Sequence, residues 1–383
     1  MNLLLICESF PTSPVADFTG GVEARDFYIA RELSKAHQVT VITNARRGSP
    51  SHQNLSGIHV IRCGLTVTHQ HRNNPLSRLV FIISSIITSL SQAPDIVQGS
   101  NIFAQFPAFI IGSIHHCPKV ALVHDVFINH WFQNTDPLTA VIGEIMERLV
   151  LRLPWDLIIT NSGYTHTKLG RAGINSHRQQ TIPGGVDLAA CRAIKTAKDP
   201  HPTIIFAGRL VGYKQVADII NALVAVKTKL PDIRLKIIGI GPQQHRLKSQ
   251  VHSLHLGPSV KFLGFITSHH QVLTHIKAAH IFCLPSTVEG FGLVTLEAAA
   301  CGTPYVNSDI AATREVTHTG QGGLLFKARD TSHLARQLTT LLTNTQLYRQ
   351  KVAAGRQLAR EYDWSIIAGE TTAAYQSILT RGS

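Results

Sequence analysis

The chain has 383 residues, 44% of them hydrophobic and 15% charged, which excludes a disordered or fibrous protein and exceeds what one hydrophobic core usually supports. Its formal net charge of +13 invites a nucleic-acid reading, but the sequence has no nucleic-acid module and no basic-aromatic cluster, so that partner is disfavoured. Six scattered cysteines with no C-x-x-C pair argue against a disulfide frame or a zinc site and fit reduced thiols in a cytosolic protein.

The opening MNLLLICES lacks the basic region and the long apolar run of a secretory signal; Leu3 to Cys7 reads as a first strand. Gly21 to Ala36 follows as a helix with Ile29, Ala30 and Leu33 on one face. Strands are expected at Gln38 to Thr43, Ile58 to Arg62, Asp95 to Val97 and Lys119 to Val123. Leu79 to Leu90 is apolar and nearly uncharged, too short to span a bilayer, and either a packed helix or one lying against a membrane surface beside Arg72 and Arg78. Strand patterns resume at Thr203 to Phe206, Arg234 to Ile238, Val260 to Leu263, Ala279 to Leu284 and Pro304 to Asn307. Alternation of strand and helix in both halves implies α/β architecture with two parallel, covered sheets. The polar, proline-bearing Arg192 to Pro202 is placed as the linker. A final helix is expected over Asp363 to Leu379, with Trp364, Ile367 and Tyr375 as anchors.

The most informative stretch is STVEGFGLVTLEAAACGTP, Ser286 to Pro304. An apolar strand leads into a turn in which Gly290 and Gly292 permit close backbone approach to a ligand. The N–H groups of Phe291, Gly292 and Leu293 then open an alanine-rich helix, where the helix dipole and unpaired donors favour a pyrophosphate. Glu297, one turn into that helix, is suited to accept from ribose hydroxyls, and Glu289 on the loop to reach a donor sugar. Two glutamates alone would read as a surface pair; the glycines between them make the motif.

This segment resembles the two-glutamate donor motif of the family-four retaining glycosyltransferases, which have the GT-B fold. FAGRLVGYKQVAD, Phe206 to Asp218, is similar to the family's strand-turn-helix segment, in which Arg209 and Lys214 would neutralise the donor diphosphate. TGGVEARDFYIARELSKAHQVTVIT resembles its N-terminal glycine loop, at Gly20 and Gly21; TNSGYTHTKL with TIPGGVDL resembles the end of its first domain. His124 in KVALVHDVF takes the place of its acceptor-side histidine.

The resemblance implies two Rossmann-like domains facing across a cleft: residues 1–191 for the acceptor, 203–362 for the nucleotide sugar, and a C-terminal helix at 363–383 returning to the first domain. It implies His124, Arg209, Lys214 and Glu289 as catalytic residues, and Gly20, Gly21, Gly290, Phe291, Gly292, Leu293 and Glu297 as donor-binding residues beside them. The implied activity is retaining transfer of a hexose from a nucleoside-diphosphate sugar to a hydroxyl acceptor, a glycan, a lipid or a small molecule. No Asp-x-Asp pair occurs, so cationic side chains and helix ends are expected to supply the positive charge, with no metal and no cofactor besides the co-substrate.

Other readings stay open at several residues. His124 is either the sugar-facing residue or a hydrogen-bonded structural histidine, with Asp125 orienting it. Phe127, Trp131 and Phe132 either line an acceptor pocket with Asp125 or belong to the core. Where relatives often place histidine after Asp95-Ile96-Val97, this chain has Gln98-Gly99-Ser100-Asn101. The basic excess, +4 over residues 1–195 and +9 over 196–383, either draws an anionic donor and anionic lipid, holding a cytoplasmic protein at the inner membrane face, or is a solvated surface. The competing functions are a non-catalytic sugar-nucleotide module and an epimerase. A nicotinamide enzyme is disfavoured, because Gly239-Ile240-Gly241 lacks the third glycine of that fingerprint.

Overall fold

The computed structural model describes residues 1–13, 18, 20–67, 75–128, 131, 137–174 and 176–380. They form two compact units: Met1–Pro14 with Val22–Pro183 and Trp364–Ser383, and Val15–Gly21 with Gly184–Asp363. Among the described residues no helix is long and apolar enough to cross a membrane.

The first unit is built on β1 (Asn2–Cys7), β2 (Gln38–Arg46), β3 (His52–Leu55), β4 (Ile58–Val67), β5 (Ile96–Ser100), β6 (Lys119–Val123), β7 (Leu157–Thr160) and β8 (Gln179–Thr181). They lie in the order β3-β4-β2-β1-β5-β6-β7-β8, parallel throughout except that β3 is antiparallel to β4. β1, β5 and β6 are buried almost end to end, as strands covered on both faces must be. The helices are α1 (Gly21–Leu33), α2 (Pro75–Ser89), α3 (Ile102–Ile114), α4 (Pro137–Leu151) and α5 (Gly163–Arg171). Strand order reverses between β1 and β5, and α/β sheets hold ligands at the carboxyl ends beside such a point.

The second unit contains α6 (Leu188–Ala193), β9 (Thr203–Ala207), α7 (Val216–Lys229), β10 (Arg234–Ile238), α8 (Gln244–Ser253), β11 (Val260–Gly264), α9 (His269–Ala278) and β12 (Ile281–Leu284). It continues through α10 (Leu293–Ala300), β13 (Tyr305–Ser308), α11 (Ala311–Val316), β14 (Gly323–Phe326), α12 (Thr331–Thr343) and α13 (Thr345–Arg360). Its parallel sheet runs β11-β10-β9-β12-β13-β14, reversing between β9 and β12.

The segment read as a linker is not one. The unit boundary falls at Pro183/Gly184, and Arg192 to Pro202 is anchored in the second unit: Lys198 Nζ donates to Ala279 O at 2.6 Å and Lys277 O at 3.0 Å, and Asp199 accepts from Lys236 at 2.7 Å. Lys198 and Asp199 spend their charges on partners within the unit, although most of the segment is exposed. The last helix, α14 (Trp364–Leu379), packs in the first unit. Trp364 stacks on Tyr28 with centroids 5.5 Å apart, Tyr375 Oη donates to Gln98 Oε1 at 2.7 Å, and Trp364, Ile367 and Tyr375 are all buried.

Candidate donor and sugar sites

In the second unit the carboxyl ends of β9 and β12 carry the two motifs. The chain leaves β9 through Gly208, whose φ of 158° is extended, and places Arg209 on the surface. This loop is held backbone to backbone by Gly239-Ile240-Gly241: Leu210 N donates to Ile240 O at 3.0 Å. A Cβ on Gly239 would lie 1.9 Å from Gly208 O, and one on Gly241 2.4 Å from Leu210 O. The glycine pair that mimics a dinucleotide fingerprint therefore exists to let a second loop close on the first.

The β12 loop is tied to the same place. Thr287 N donates to Tyr213 O at 2.8 Å, and Lys214 Nζ donates to Glu289 Oε1 at 2.5 Å, both side chains mostly buried. Arg209 has no ion-pair partner among the described residues. Gly292, at φ 90°, caps α10 in a left-handed conformation that favours glycine. Phe291, Gly292 and Leu293 donate no backbone N–H to described residues, leaving the donors at the mouth of the helix unpaired. Below them Asn307 bridges Leu284 N at 3.0 Å and Thr295 Oγ1 at 2.9 Å, fixing β12 to α10.

Of the expected donor residues, Arg209, Lys214, Glu289, Gly290 and Gly292 lie on these two tied loops, and Glu297 lies on the helix that the second loop opens. The Phe291 and Leu293 side chains have other partners within the unit. Phe291 is core, its ring 5.9 Å from Tyr362, and Leu293 Cδ2 fills the space where a Cβ on Gly184 would lie at 2.5 Å. Gly21 faces Leu293 as well, at 3.2 Å for a built Cβ, while a Cβ on Gly20 would meet none of the described residues within 4 Å. Sequence reasoning missed His269: its Nε2 lies 3.2 Å from Glu297 Oε1, and its ring lies edge-on to Phe18. Burial pulls the His269 imidazole down, but the charge and hydrogen bond of Glu297, with Asp187, outweigh that and raise it. The signal was available as Ser268-His269-His270 opening α9, but among 21 histidines nothing singled it out.

In the first unit His124 stands just past β6 and Ser100 ends β5, at the carboxyl ends of neighbouring strands. His124 Nε2 lies 2.9 Å from Ser100 Oγ, which lies 2.8 Å from each oxygen of Asp26 on α1. Burial pushes the Asp26 carboxyl up to about 7 against the Ser100 hydrogen bond and Arg25; burial and Arg25 push His124 down to about 3. The imidazole is neutral. With Ser100 donating its proton to Asp26, its oxygen takes the His124 Nε2–H, which leaves Nδ1 as the imidazole's acceptor.

Asp125 does not orient His124. Its carboxylate accepts from Lys168 at 2.7 Å and from Val126 N at 2.8 Å, because a carboxylate at a strand end is better satisfied by a cation and a free N–H than by a neutral ring. Trp131 donates to buried Glu147 at 2.7 Å, and Phe127 N donates to the same carboxyl at 3.0 Å; the Trp131 ring lies where a Cβ on Gly143 would be 2.6 Å away. Both side chains stay partly exposed, with their rings 5.8 Å apart. Phe132 lies outside the described residues. Gln98, standing where relatives often have histidine, is buried on Tyr375.

Two family models match the chain in succession: Glycosyltransferase Family 4 over residues 19–190 and Glycosyl transferases group 1 over 190–358. A phosphatidyl-myo-inositol mannosyltransferase of Mycobacterium leprae is 35% identical over 53% of this chain and 54% of its own length. A glycogen synthase of Mycobacterium tuberculosis is 26% identical over 98% of this chain and 94% of its own. The chain thus spans about half the length of the first relative and nearly all of the second. Among solved structures, the sucrose-phosphate synthase of Thermosynechococcus elongatus superposes with TM-score 0.83 at 20% identity over 100% of both chains. HepE of Anabaena, crystallised with UDP-glucose, does so with TM-score 0.74 at 20% identity over 98% of this chain and 99% of its own. The fold is GT-B, and since the two models in succession account for residues 19–358, the chain belongs to the group 1, family 4 glycosyltransferases.

Proposed function

We propose that the protein transfers a hexose from a nucleoside-diphosphate sugar to a hydroxyl acceptor, with retention at the anomeric carbon and without a metal ion. The observation that carries this reading is the convergence of Arg209, the Lys214–Glu289 pair and the free N–H groups opening α10 at the switch point between β9 and β12. As the bond from anomeric carbon to phosphate oxygen breaks, negative charge grows on the departing diphosphate. The guanidinium, the ammonium and the helix N-terminus are fixed positive groups suited to that charge. Glu297 would accept from the ribose hydroxyls, and the acceptor's hydroxyl proton would pass to the departing phosphate oxygen. His124 is assigned to positioning the sugar, as a neutral imidazole.

Uridine is our first choice of base, supported by the UDP-glucose in the HepE crystals. A lipid-linked acceptor belongs to this reading and is supported by the relative named as a phosphatidyl-myo-inositol mannosyltransferase. The free state of all six cysteines supports a cytoplasmic site of action. The test is slow hydrolysis of UDP-, GDP- and ADP-hexoses in excess EDTA, with melting followed in UDP and in NAD. Hydrolysis of one donor and stabilisation by its diphosphate alone are expected. Binding without turnover would leave a non-catalytic module, and a strict Mg²⁺ or Mn²⁺ requirement would remove the metal-free mechanism.

A further inference from the structure

Three helices of the first unit, α2, α3 and α4, pack in succession, α2 against α3 and α3 against α4. The α2 helix turns Phe81, Ser85 and Ser89 inward. Its outward face is apolar too: Leu76, Leu79, Ile83, Ile87 and, just beyond its end, Leu90 are 49–63% exposed, spaced by three and four residues as one stripe along the helix. Phe106 and Ile114 on α3, and Ile145 and Leu149 on α4, are also exposed. A helix apolar on all sides is ordinarily covered, and this many exposed apolar side chains on three helices packed in succession point to an interaction site.

We infer that this face lies on an anionic lipid bilayer, with α2 parallel to the surface. Charge selects the occupant. Between residues 33 and 94 the chain has six Lys and Arg and no Asp or Glu, and from Pro75 to Ile114 only Arg78 and Asp95 carry charge. A second copy would bring the same basic sign against itself, whereas an anionic leaflet brings the opposite one. Of the described cations, Lys35, Arg46 and Arg62 are taken by Glu32, by Glu23 and by the Phe10 and Pro11 carbonyls, which leaves Arg47 and Arg78 as the cations nearest in sequence to a headgroup layer. β2 and β4 run parallel, with Arg46 opposite Val67, so exposed Arg47 marks the sheet end from which the chain continues to α2. Arg78, in the first turn of α2, is held over the Phe103 ring at 4.1 Å and near Glu8. The bilayer supplies hydrocarbon for the stripe and phosphate for its basic end, and α2, at 15 residues, lies on it without spanning it.

The test uses the full chain and needs no enzymatic activity, so its outcome is separate from that of the proposed transfer reaction. Co-sedimentation is measured with vesicles of phosphatidylcholine alone and of phosphatidylcholine with phosphatidylglycerol, at low and high salt. Binding to the anionic vesicles, weakened by salt, is expected. A Leu79→Glu/Ile83→Glu/Ile87→Glu variant should bind at least about tenfold more weakly, since each side chain forfeits its apolar burial and adds a repelled charge. Val224→Glu, on an exposed apolar position of α7, should bind as the parent does. If the triple variant melts early, Leu79→Gln/Ile83→Gln replaces it, with loss of binding again expected. Binding unchanged in a folded stripe variant would overturn the proposal. So would absence of vesicle binding together with a concentration-dependent dimer, seen by sedimentation velocity, that the stripe substitutions dissolve.

Discussion

Lys214 Nζ lies 2.5 Å from Glu289 Oε1, so two residues expected to serve the donor hold each other across two loops. Arg209, by contrast, is exposed and has no ion-pair partner among the described residues, and the two cations therefore separate in a mutant series. Either Arg209→Ala or Lys214→Ala should reduce turnover by about 10² or more, the usual cost of losing a transition-state donor. Only Lys214→Ala should also lower the melting temperature, because it strips the cation from a mostly buried carboxylate. Steady-state kinetics and thermal unfolding check both; turnover near the parent's in both variants would remove the assignment.

Much of this was legible in the sequence because it is local. Short apolar runs gave the buried strands and 3.6-residue spacing the helices, and glycines between Glu289 and Glu297 gave the donor loop, since backbone approach and helix N-termini are properties of short segments. What escaped depends on partners distant in sequence. Asp125 sits beside His124 in the chain, but its carboxylate goes to Lys168. Asp26, remote from His124 in sequence, is the residue that reaches it through Ser100. The polar Arg192 to Pro202 reads as linker until Lys198 and Asp199 are seen spending their charges on β10 and the end of α9. Short edge strands such as β3 and β8 have too few apolar residues to register as a pattern.

The Asp26–Ser100–His124 chain carries its proton on the carboxyl. His124 is depressed from 6.5 to about 3, so its contribution to stability is complete above 6.5 and is lost as the pH falls toward 3. Asp26 is raised from 3.8 to about 7, so its contribution is complete below 3.8 and is lost as the pH rises toward 7. Between those unfolded-state values the two slopes cancel. Asp26→Asn deletes one of them, and its stability should fall with acid below pH 6.5 more steeply than the parent's. Denaturant unfolding across this range measures the slopes; parallel profiles would rule out the shared proton.

At Glu297, to which the proposed mechanism assigns the ribose hydroxyls, the His269 ion pair takes one carboxylate oxygen. Glu297→Ala should weaken UDP binding by roughly tenfold to a hundredfold, the worth of hydrogen bonds to a charged acceptor. His269→Ala should weaken it less, and chiefly on the acid side, where the raised imidazole is charged. Titration calorimetry at two pH values reads both. A larger loss from His269→Ala than from Glu297→Ala would reverse the roles.

The stereochemical outcome follows from what Glu289 is free to do. A double displacement needs a carboxylate at the back face of the anomeric carbon, able to form a covalent glycosyl-enzyme. Here one Glu289 oxygen is committed to Lys214, and a carboxylate neutralised by a close ammonium is a weakened nucleophile. We therefore expect the acceptor to attack from the face the diphosphate leaves, with the departing phosphate oxygen taking the acceptor's proton, so that an α-linked donor yields an α-linked product. Proton NMR of the first product formed decides retention, because spontaneous anomeric exchange has not yet blurred the signal. A β-linked first product from an α-donor would contradict the retaining mechanism outright. A sugar trapped covalently on Glu289 would leave retention standing and replace same-face attack by double displacement.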